Sequence, residues 1–375
     1  MNFVSDDLKN DEKAVLKLRQ LYRKYGYTQF KMSKFEEYDL YVNNKDFLVS
    51  DRVITFTGAK GKLLALKPDV TISIIRNSAD VPGYVKKVYY NENVFRVAKG
   101  DEEFKEIMQT GLECIGDIDM YNISEVIMLA IQSLESVADR YILDISHLGF
   151  VKALLDEAKL TGTQKQKVLL CIENKNIWGI KDICYEAGLS VNMTAHLTAL
   201  ASEYGPFYKV LPQLEKISIN EKTNKALSEL KELWDCLDAL NLSEKVQLDF
   251  SVVNDMNYYN GIVFKGYIEG ASQGILSGGQ YDKLMKKMGK ESGAIGFAVY
   301  LDLLQRLDNT NIGYDVDDLI LYDTKTPIKE LACFARDLVG RGNSVLLAKK
   351  ADDKIKYRQL IRALGGRFEV VEANS

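Results

Sequence analysis

The chain carries the stretch Val252-Val253-Asn254-Asp255-Met256-Asn257-Tyr258-Tyr259-Asn260-Gly261, then Ser277-Gly278-Gly279-Gln280-Tyr281-Asp282, then Gly296-Phe297-Ala298-Val299-Tyr300-Leu301-Asp302-Leu303-Leu304. Glycines inside strand-like runs allow a ligand or another backbone to approach closely. A tyrosine pair by itself is ordinary sheet packing. The order and spacing of the three stretches together are much harder to obtain by chance, so we treat them as one signal.

Outward from these stretches, hydrophobic periodicity predicts strands, then a helical block, then strands again. A helix over Val15 to Tyr25 comes first, and Gly26 can end it. The pattern then predicts strands at 52–57, 62–66, 85–90, 93–97 and 104–116, a helix at 125–141, an almost wholly helical block from 147 to 242, strands at 246–253, 261–269 and 274–277, and a strand and helix over 294–307. This order favours an antiparallel α+β domain interrupted by a helical insertion.

The pattern restarts near the C-terminus as a small α/β module. It predicts a strand at 319–322, a helix at 328–339, a strand at 344–348, a helix at 355–364 and a strand at 368–371. We therefore predict three parts, which are a core of residues 1–146 and 243–310, a helical insertion of residues 147–242, and a module of residues 316–375. The module has roughly half the usual size of a domain.

Composition is that of an ordinary soluble globular protein, with 375 residues, 46% hydrophobic residues and a net charge of −4. The acidic balance argues against a nucleic-acid partner, which needs a basic surface. The cysteines are scattered without a CxxC pair, and His147 and His196 are the only histidines, so we expect buried reduced thiols and no metal site. The sequence lacks a signal peptide and an apolar run of membrane-spanning length, so we expect a cytoplasmic protein without membrane association.

The three stretches resemble the histidine-specific signatures and motif 3 of the class II aminoacyl-tRNA synthetases, of the histidyl type. The stretch Leu66-Lys67-Pro68-Asp69-Val70-Thr71 and the run from Asn93 to Glu113 extend the similarity, which covers about residues 8–307. The resemblance implies an α+β core built on a class II synthetase-like antiparallel sheet. The C-terminal module is similar to a shortened anticodon-binding domain.

The resemblance also implies a histidine pocket formed by seven residues, which are Asp69, Thr71, Gln109, Glu113, Tyr258, Tyr259 and Tyr281. Asp69 and Thr71 would hold the α-ammonium group, Thr71 as a hydroxyl acceptor. Gln109 and Glu113 would face the imidazole, since residues four apart on a strand share a face. The ordinary alternatives are that Asp69 begins a helix and that Gln109 and Glu113 lie on a solvated strand face.

Three positions depart from the synthetase pattern, namely Asn254, Leu303 and Ala98. Asn254 and Leu303 stand where the histidyl enzymes have arginines that contact ATP and the reacting carboxylate. Arg96 matches the first arginine of motif 2, but Ala98 replaces the acidic residue expected two positions later. Neutral side chains cannot stabilise the developing charge of amino-acid activation. We therefore expect Arg96, Asn254 and Leu303 to form a vestigial ATP site and the chain to have no catalytic residues.

A pocket without its ATP-binding charges is similar to that of the regulatory subunits of ATP phosphoribosyltransferase. These subunits are paralogues of histidyl-tRNA synthetase, and ATP phosphoribosyltransferase catalyses the first step of histidine biosynthesis. This resemblance implies a short-form catalytic ATP phosphoribosyltransferase subunit as partner, a homodimer within a hetero-oligomer, histidine as ligand and no cofactor. Two alternatives stay open, which are a divergent histidyl-tRNA synthetase and a synthetase-like sensor of amino acids or RNA.

Overall fold

The computed structural model describes residues 8–48, 52–97, 103–253, 258–305, 314–352 and 354–374. The chain forms two compact units, Met1–Leu307 and Asp308–Ser375. The elements of the first unit are α1 (Asn10–Lys24), β1 (Thr28–Gln29), β2 (Phe35–Glu37), α2 (Tyr38–Val42), β3 (Thr55–Thr57), β4 (Leu63–Leu66), α3 (Thr71–Arg76), β5 (Val85–Val97), β6 (Phe104–Gly116), α4 (Met120–Val137), β7 (Tyr141–His147), α5 (Leu148–Glu157), α6 (Gly162–Glu173), α7 (Ile177–Glu186), α8 (Val191–Ser202), β8 (Tyr204–Gly205), α9 (Phe207–Ile217), α10 (Glu221–Ala239), β9 (Val246–Asp249), β10 (Ile262–Ile268), β11 (Leu276–Gln280), α11 (Asp282–Lys287), β12 (Gly293–Tyr300) and α12 (Leu301–Gln305).

A nine-stranded sheet in the order β1-β5-β6-β12-β11-β10-β7-β9-β8 forms the centre of this unit. Its pairs are antiparallel except β1 with β5 and β7 with β9. The predicted antiparallel α+β core is thereby confirmed. The register places Gly296 of β12 between Glu113 of β6 and Gly279 of β11, so the glycine-rich strands adjoin the strand that carries the predicted imidazole partners.

The helices of the insertion pack on the same hydrophobic core as the sheet. Buried residues of α5 to α10 and of the strands belong to one contiguous cluster, which includes Leu154, Leu200, Leu230 and Phe264. The amphipathic spacing of these helices explains their formation, and side-chain caps at Thr161, Ser190 and similar positions begin several of them. The three-part domain division stays a prediction.

Several predicted boundaries in this unit are wrong. The runs 85–90 and 93–97 form one continuous strand, β5. The helix predicted to reach Tyr141 ends at Val137, and Tyr141 begins β7, a strand that the periodicity did not indicate. The strand predicted to reach Val253 ends at Asp249. Strand β7 follows α4 after a short gap, with Leu143 and Ile145 in the core and Asp144 and Ser146 on its other face, and the predicted helix extends over its first residue.

The second unit contains β13 (Val316–Tyr322), α13 (Ile328–Gly340), β14 (Val345–Ala348), β15 (Tyr357–Leu364) and β16 (Arg367–Ala373). Its sheet has the order β14-β13-β15-β16. The helix predicted at 355–364 is wrong, since this segment is strand β15. Leu360 and Ile361 are both buried and flank a register shift against β16. The shift breaks strict alternation and imitates helical spacing.

Two further features bear on the class of protein. Within the described ranges, every helix is too short or too polar to cross a bilayer. All five cysteines are free thiols; Cys114 and Cys184 are buried, whereas Cys333 is exposed. The expectation of buried thiols is therefore wrong for Cys333.

Candidate functional site

A cleft of about 990 Å³ lies over the middle of the nine-stranded sheet. Strands β6, β12, β11 and β10 contribute lining residues, and α3, the turn at Lys45–Phe47 and the residues before β10 contribute others. The structure brings all seven predicted pocket residues to this cleft, namely Asp69, Thr71, Gln109, Glu113, Tyr258, Tyr259 and Tyr281. They come from four separate parts of the sequence, so only the fold unites them.

Glu113 is the buried acidic centre of the cleft. Its Oε1 accepts a hydrogen bond from the Thr71 hydroxyl (2.7 Å), and its Oε2 accepts one from the Tyr281 hydroxyl (2.6 Å). A Cβ on Gly296 would lie 1.7 Å from Glu113 Oε2, so a side chain there would displace the carboxylate. The glycine of β12 therefore makes room for Glu113.

Both carboxyl groups of the pocket have raised pKa values. Burial, and to a smaller degree the charge of Asp69, raises the pKa of Glu113 to about 8, although its two hydroxyl donors oppose the shift. Burial likewise raises the pKa of Asp69, whose Oδ1 accepts from the Ile72 N–H at 2.8 Å. A ligand that brings positive charge would relieve this unfavourable burial of negative charge.

Three tyrosines form the aromatic wall of the pocket. The ring centroids of Tyr258 and Tyr259 are 4.6 Å apart, and those of Tyr258 and Tyr281 are 5.9 Å apart. Burial raises the pKa of the Tyr258 and Tyr281 hydroxyls well above its ordinary value, so both remain hydrogen-bond donors. A Cβ on Gly279 would lie 2.9 Å from a ring carbon of Tyr259; this glycine lets the ring pack against β11.

The structure distinguishes the pocket interpretation of Asp69, Gln109 and Glu113 from the ordinary alternatives, a helix start and a solvated strand face. Gln109 and Glu113 are 5% and 2% exposed, so they do not lie on a solvated strand face. Asp69 precedes α3 and bonds the Ile72 N–H while also lining the cleft, so helix initiation and site formation are compatible. The Thr71 hydroxyl donates to Glu113, and its role as an acceptor for the ligand's ammonium group stays a prediction, because a hydroxyl can donate and accept at the same time.

The opposite end of the cleft has a different character. Arg96 is 8% exposed, and its guanidinium carbon lies 6.0 Å from the centre of the Tyr300 ring. Leu303 lines the cleft and packs against the main core. Among the described residues, the buried Asp302 Oδ1 has no hydrogen-bond partner. Asn254 lies outside the described residues.

Other cleft residues carried no signal that sequence reasoning used. Phe47 contacts Tyr258 edge-on, with 6.2 Å between ring centroids. Tyr90 is buried beside Gly111, whose missing Cβ leaves space for the Tyr90 hydroxyl. Lys105 and Lys265 add positive charge to the lining. Alternation along β5 could have suggested Tyr90, but the sequence contains no pattern that brings Phe47 to the cleft.

The arrangement suits binding of an amino acid with a nitrogen-containing side chain. It combines carboxylates for two nitrogen donors with an aromatic enclosure, the pattern typical of small-molecule pockets. In the part of the chain that the structure describes, no group of three or more His, Cys, Asp or Glu side chains is arranged to hold a metal ion.

Comparison with known proteins connects this site to a family. A family model described as histidyl-tRNA synthetase matches residues 2–304. The ATP phosphoribosyltransferase regulatory subunit of Acetivibrio thermocellus is 30% identical over 315 residues, which cover 82% of this chain and 75% of that protein. The chain belongs to the histidyl-tRNA synthetase family, on its branch of ATP phosphoribosyltransferase regulatory subunits.

Solved structures of this family share the fold. A protein of Bacillus halodurans described as an ATP phosphoribosyltransferase regulatory subunit/histidyl-tRNA synthetase superposes with a TM-score of 0.74 at 24% identity, over 97% of this chain and 96% of that one. A chain of the ATP phosphoribosyl transferase complex from Thermotoga maritima gives a TM-score of 0.61 at 19% identity, over 78% and 97%. The class II synthetase-like fold expected from the sequence is thereby confirmed.

Proposed function

We propose that this chain is a regulatory subunit of ATP phosphoribosyltransferase, acts in the cytoplasm in the first step of histidine biosynthesis, and has no catalysis of its own. Its family supports the regulatory role, since relatives across 82% to 91% of the chain carry that name. The complex from Thermotoga maritima supports a partner that is a short-form catalytic subunit. By the same resemblance we propose a homodimer within the hetero-oligomer.

One observation carries the proposal that the chain is not a ligase. The cleft contains the hydrogen-bonded Glu113 centre, and by the resemblance Leu303 and Asn254 stand where the synthetases have two arginines. Amino-acid activation builds negative charge on the phosphate and the reacting carboxylate, and preorganised cations stabilise that charge. Leucine and asparagine supply none at these two positions, and we propose that the remaining cations of the cleft, Arg96, Lys105 and Lys265, do not replace them.

Histidine is the ligand that we propose for the Glu113 end. Asp69 would receive the α-ammonium group, and Glu113 with Gln109 would bond the imidazole nitrogens. Tyr258, Tyr259 and Tyr281 would enclose the ring, whose aromatic packing contributes about 0.5–1.5 kcal/mol beyond area burial. Because Asn254 leaves the ligand carboxylate without its arginine, we expect a Kd of about 10–1000 µM.

Regulation then requires a difference in histidine affinity between the active and the inhibited assembly. A ligand shifts an equilibrium only by the ratio of its affinities for the two states. By linkage, if histidine weakens the binding of a substrate to the assembly by some factor, that substrate weakens the binding of histidine by the same factor. Feedback inhibition is the expected physiological direction for the end product of the pathway.

Co-expression with the short catalytic subunit of the same genome tests the function. We expect a complex on size exclusion that joins ATP to phosphoribosyl pyrophosphate faster than the catalytic subunit alone and is inhibited by histidine. A complex with the Glu113→Gln variant serves as the matched control, because it should assemble but respond weakly to histidine. Separate elution of the two proteins, with equal activity in both samples, would contradict the proposal and favour a free-standing sensor.

A further inference from the structure

Asp282 joins three segments around the pocket. It is the first residue of α11, and its Oδ1 accepts from the Ala294 N–H of β12 at 3.0 Å. Its Oδ2 accepts from the Asn260 Nδ2 amide at 2.9 Å. Asn260 in turn uses its Oδ1 to accept from the Lys283 N–H at 3.4 Å. The Asn260 side chain is therefore held by α11 through both ends of its amide.

Backbone contacts hold the same loop from the other side. The Asn260 N–H donates to the Gln280 carbonyl at 3.0 Å, and the Ile262 N–H donates to Gln280 Oε1 at 2.7 Å. A Cβ on Gly261 would lie 2.1 Å from Gln280 Oε1, so the loop lies directly on the end of β11. The residues Asn260, Gly261 and Asp282 are not part of the cleft lining.

The tyrosines of the pocket are the direct neighbours of these residues. Tyr258 and Tyr259 precede Asn260, and Tyr281 precedes Asp282. We propose that Asp282 is a positioning residue for the histidine pocket. Asp282 acts through Asn260, which holds Tyr258 and Tyr259 in place. The two tyrosines then stay packed over Tyr281 and Glu113. The choice of histidine as readout rests on the function proposed above.

The amide and carboxylate can be exchanged, which gives a sharp test. In Asp282→Asn, the amide oxygen can keep the hydrogen bond from the Ala294 N–H. The new NH₂ group then faces the NH₂ group of Asn260, and two donors meet. Rotation of Asn260 by 180° would only move the conflict to the Lys283 N–H, because two donors would then meet there. In Asn260→Asp, two carboxylates face each other. The double variant Asn260→Asp with Asp282→Asn restores every donor and acceptor.

The four proteins are compared as full-length chains by calorimetry with histidine and by hydrogen exchange of residues 258–262. We expect each single variant to bind histidine about tenfold more weakly, the scale of one hydrogen bond to a charged group, and to exchange faster at 258–262. The double variant should return to within about threefold of the original affinity. Asp80→Asn is the matched control, since Asp80 Oδ2 accepts the Glu291 N–H away from the cleft and an amide oxygen can replace it.

The two readouts separate the two proposals. The positioning role of Asp282 is wrong if the single variants keep the original histidine affinity and the original hydrogen-exchange rate at 258–262. It is also wrong if the double variant binds histidine as weakly as the single variants. If the unmodified chain binds no histidine, the proposed ligand is wrong, and hydrogen exchange alone decides the role of Asp282. Faster exchange in the singles and its reversal in the double variant would then still support the positioning role.

Discussion

The two ends of the cleft differ in how completely their polar groups are satisfied. At the Glu113 end, both carboxylate oxygens accept short hydrogen bonds from buried hydroxyls, and three aromatic rings pack around them. At the Leu303 end, Arg96 faces the Tyr300 ring, and Asp302 Oδ1 is buried without a hydrogen-bond partner among the described residues. The polar groups at the Glu113 end are thus paired within the described residues, whereas the Leu303 end keeps a buried carboxylate oxygen without a partner there.

Under the proposed function, this difference is how a synthetase-like fold would change its role with few substitutions. The sheet fixes the Glu113 end through packing and register, so that end persists as long as the core does. The charges at the other end contribute to chemistry rather than to packing, and Leu303 instead packs on the core. A fold retained without its reaction is most simply retained for binding and for its surfaces.

The largest expected effect is on amino-acid activation. Each missing preorganised donor costs about 10²–10³ in rate, so two should lower histidine-dependent pyrophosphate–ATP exchange by about 10⁴ or more from an ordinary rate of about 1 s⁻¹. A histidyl-tRNA synthetase assayed in parallel is the positive control. Exchange at about 1 s⁻¹ by this chain would remove the contrast between the two ends and favour the divergent synthetase.

The next effect concerns the Glu113 end of the cleft. Glu113→Gln should weaken histidine binding by about 30-fold or more, because an amide cannot lose a proton to pair with the positive charge that the ligand brings, a partnership worth at least about 2 kcal/mol. Calorimetry measures the loss. Glu106→Gln lies on the same strand but is exposed and outside the cleft, so it should bind normally. Equal binding by both variants would show that the ligand lies elsewhere.

The same carboxyl group predicts a pH dependence of stability. Because the folded pKa of Glu113, about 8, exceeds its ordinary value of 4.5, the folded state holds a proton that the unfolded state has lost between these values. Its contribution to stability is therefore complete below pH 4.5 and is lost as the pH rises toward 8, with a slope of at most about 1.4 kcal/mol per pH unit. The free energy of unfolding of the original chain and of Glu113→Gln can be measured by denaturant from pH 5 to 8.5. As the pH rises over this range, the original chain should lose stability relative to the variant. A constant difference would contradict a raised pKa.

The smallest effect concerns the turn that closes the Glu113 end. Lys287 at the end of α11 forms an ion pair with Asp46 (2.8 Å) and lies 5.3 Å from the ring centre of Phe47, which contacts Tyr258. Exposed pairs contribute little and are screened by salt, so Lys287→Met should speed histidine release by less than about fivefold.

Stopped-flow measurements at low and high salt can test this contribution. The difference between the original chain and Lys287→Met should disappear at high salt. Lys62→Met removes another exposed ion pair, with Glu37 at 2.6 Å, and should leave histidine release unchanged. A salt-independent change in Lys287→Met would instead indicate a structural defect.

Sequence patterns predicted the parts of the fold in which one face of an element is buried. Helices α1 and α13 agree with their periodicity, and the long strand β6 was also predicted, although its residues 109–116 are buried on both faces. Strand β15 was missed because a register shift against β16 breaks its alternation, and β7 was missed because the predicted helix extends over its first residue, Tyr141. In these strands, tertiary contacts rather than local pattern decide the conformation.

The sequence by itself determined which residue types are available for the site, and it determined that Asn254 and Leu303 cannot supply positive charge. It also placed Gln109 and Glu113 on one strand face, because side chains alternate along any strand. Only the tertiary structure decided that Thr71 donates to Glu113, that Gly296 yields space to its carboxylate, and that Asp282 holds Asn260. These contacts join residues from 22 to 183 positions apart in the numbering, because sheet register and loop packing, which no local periodicity encodes, bring them together.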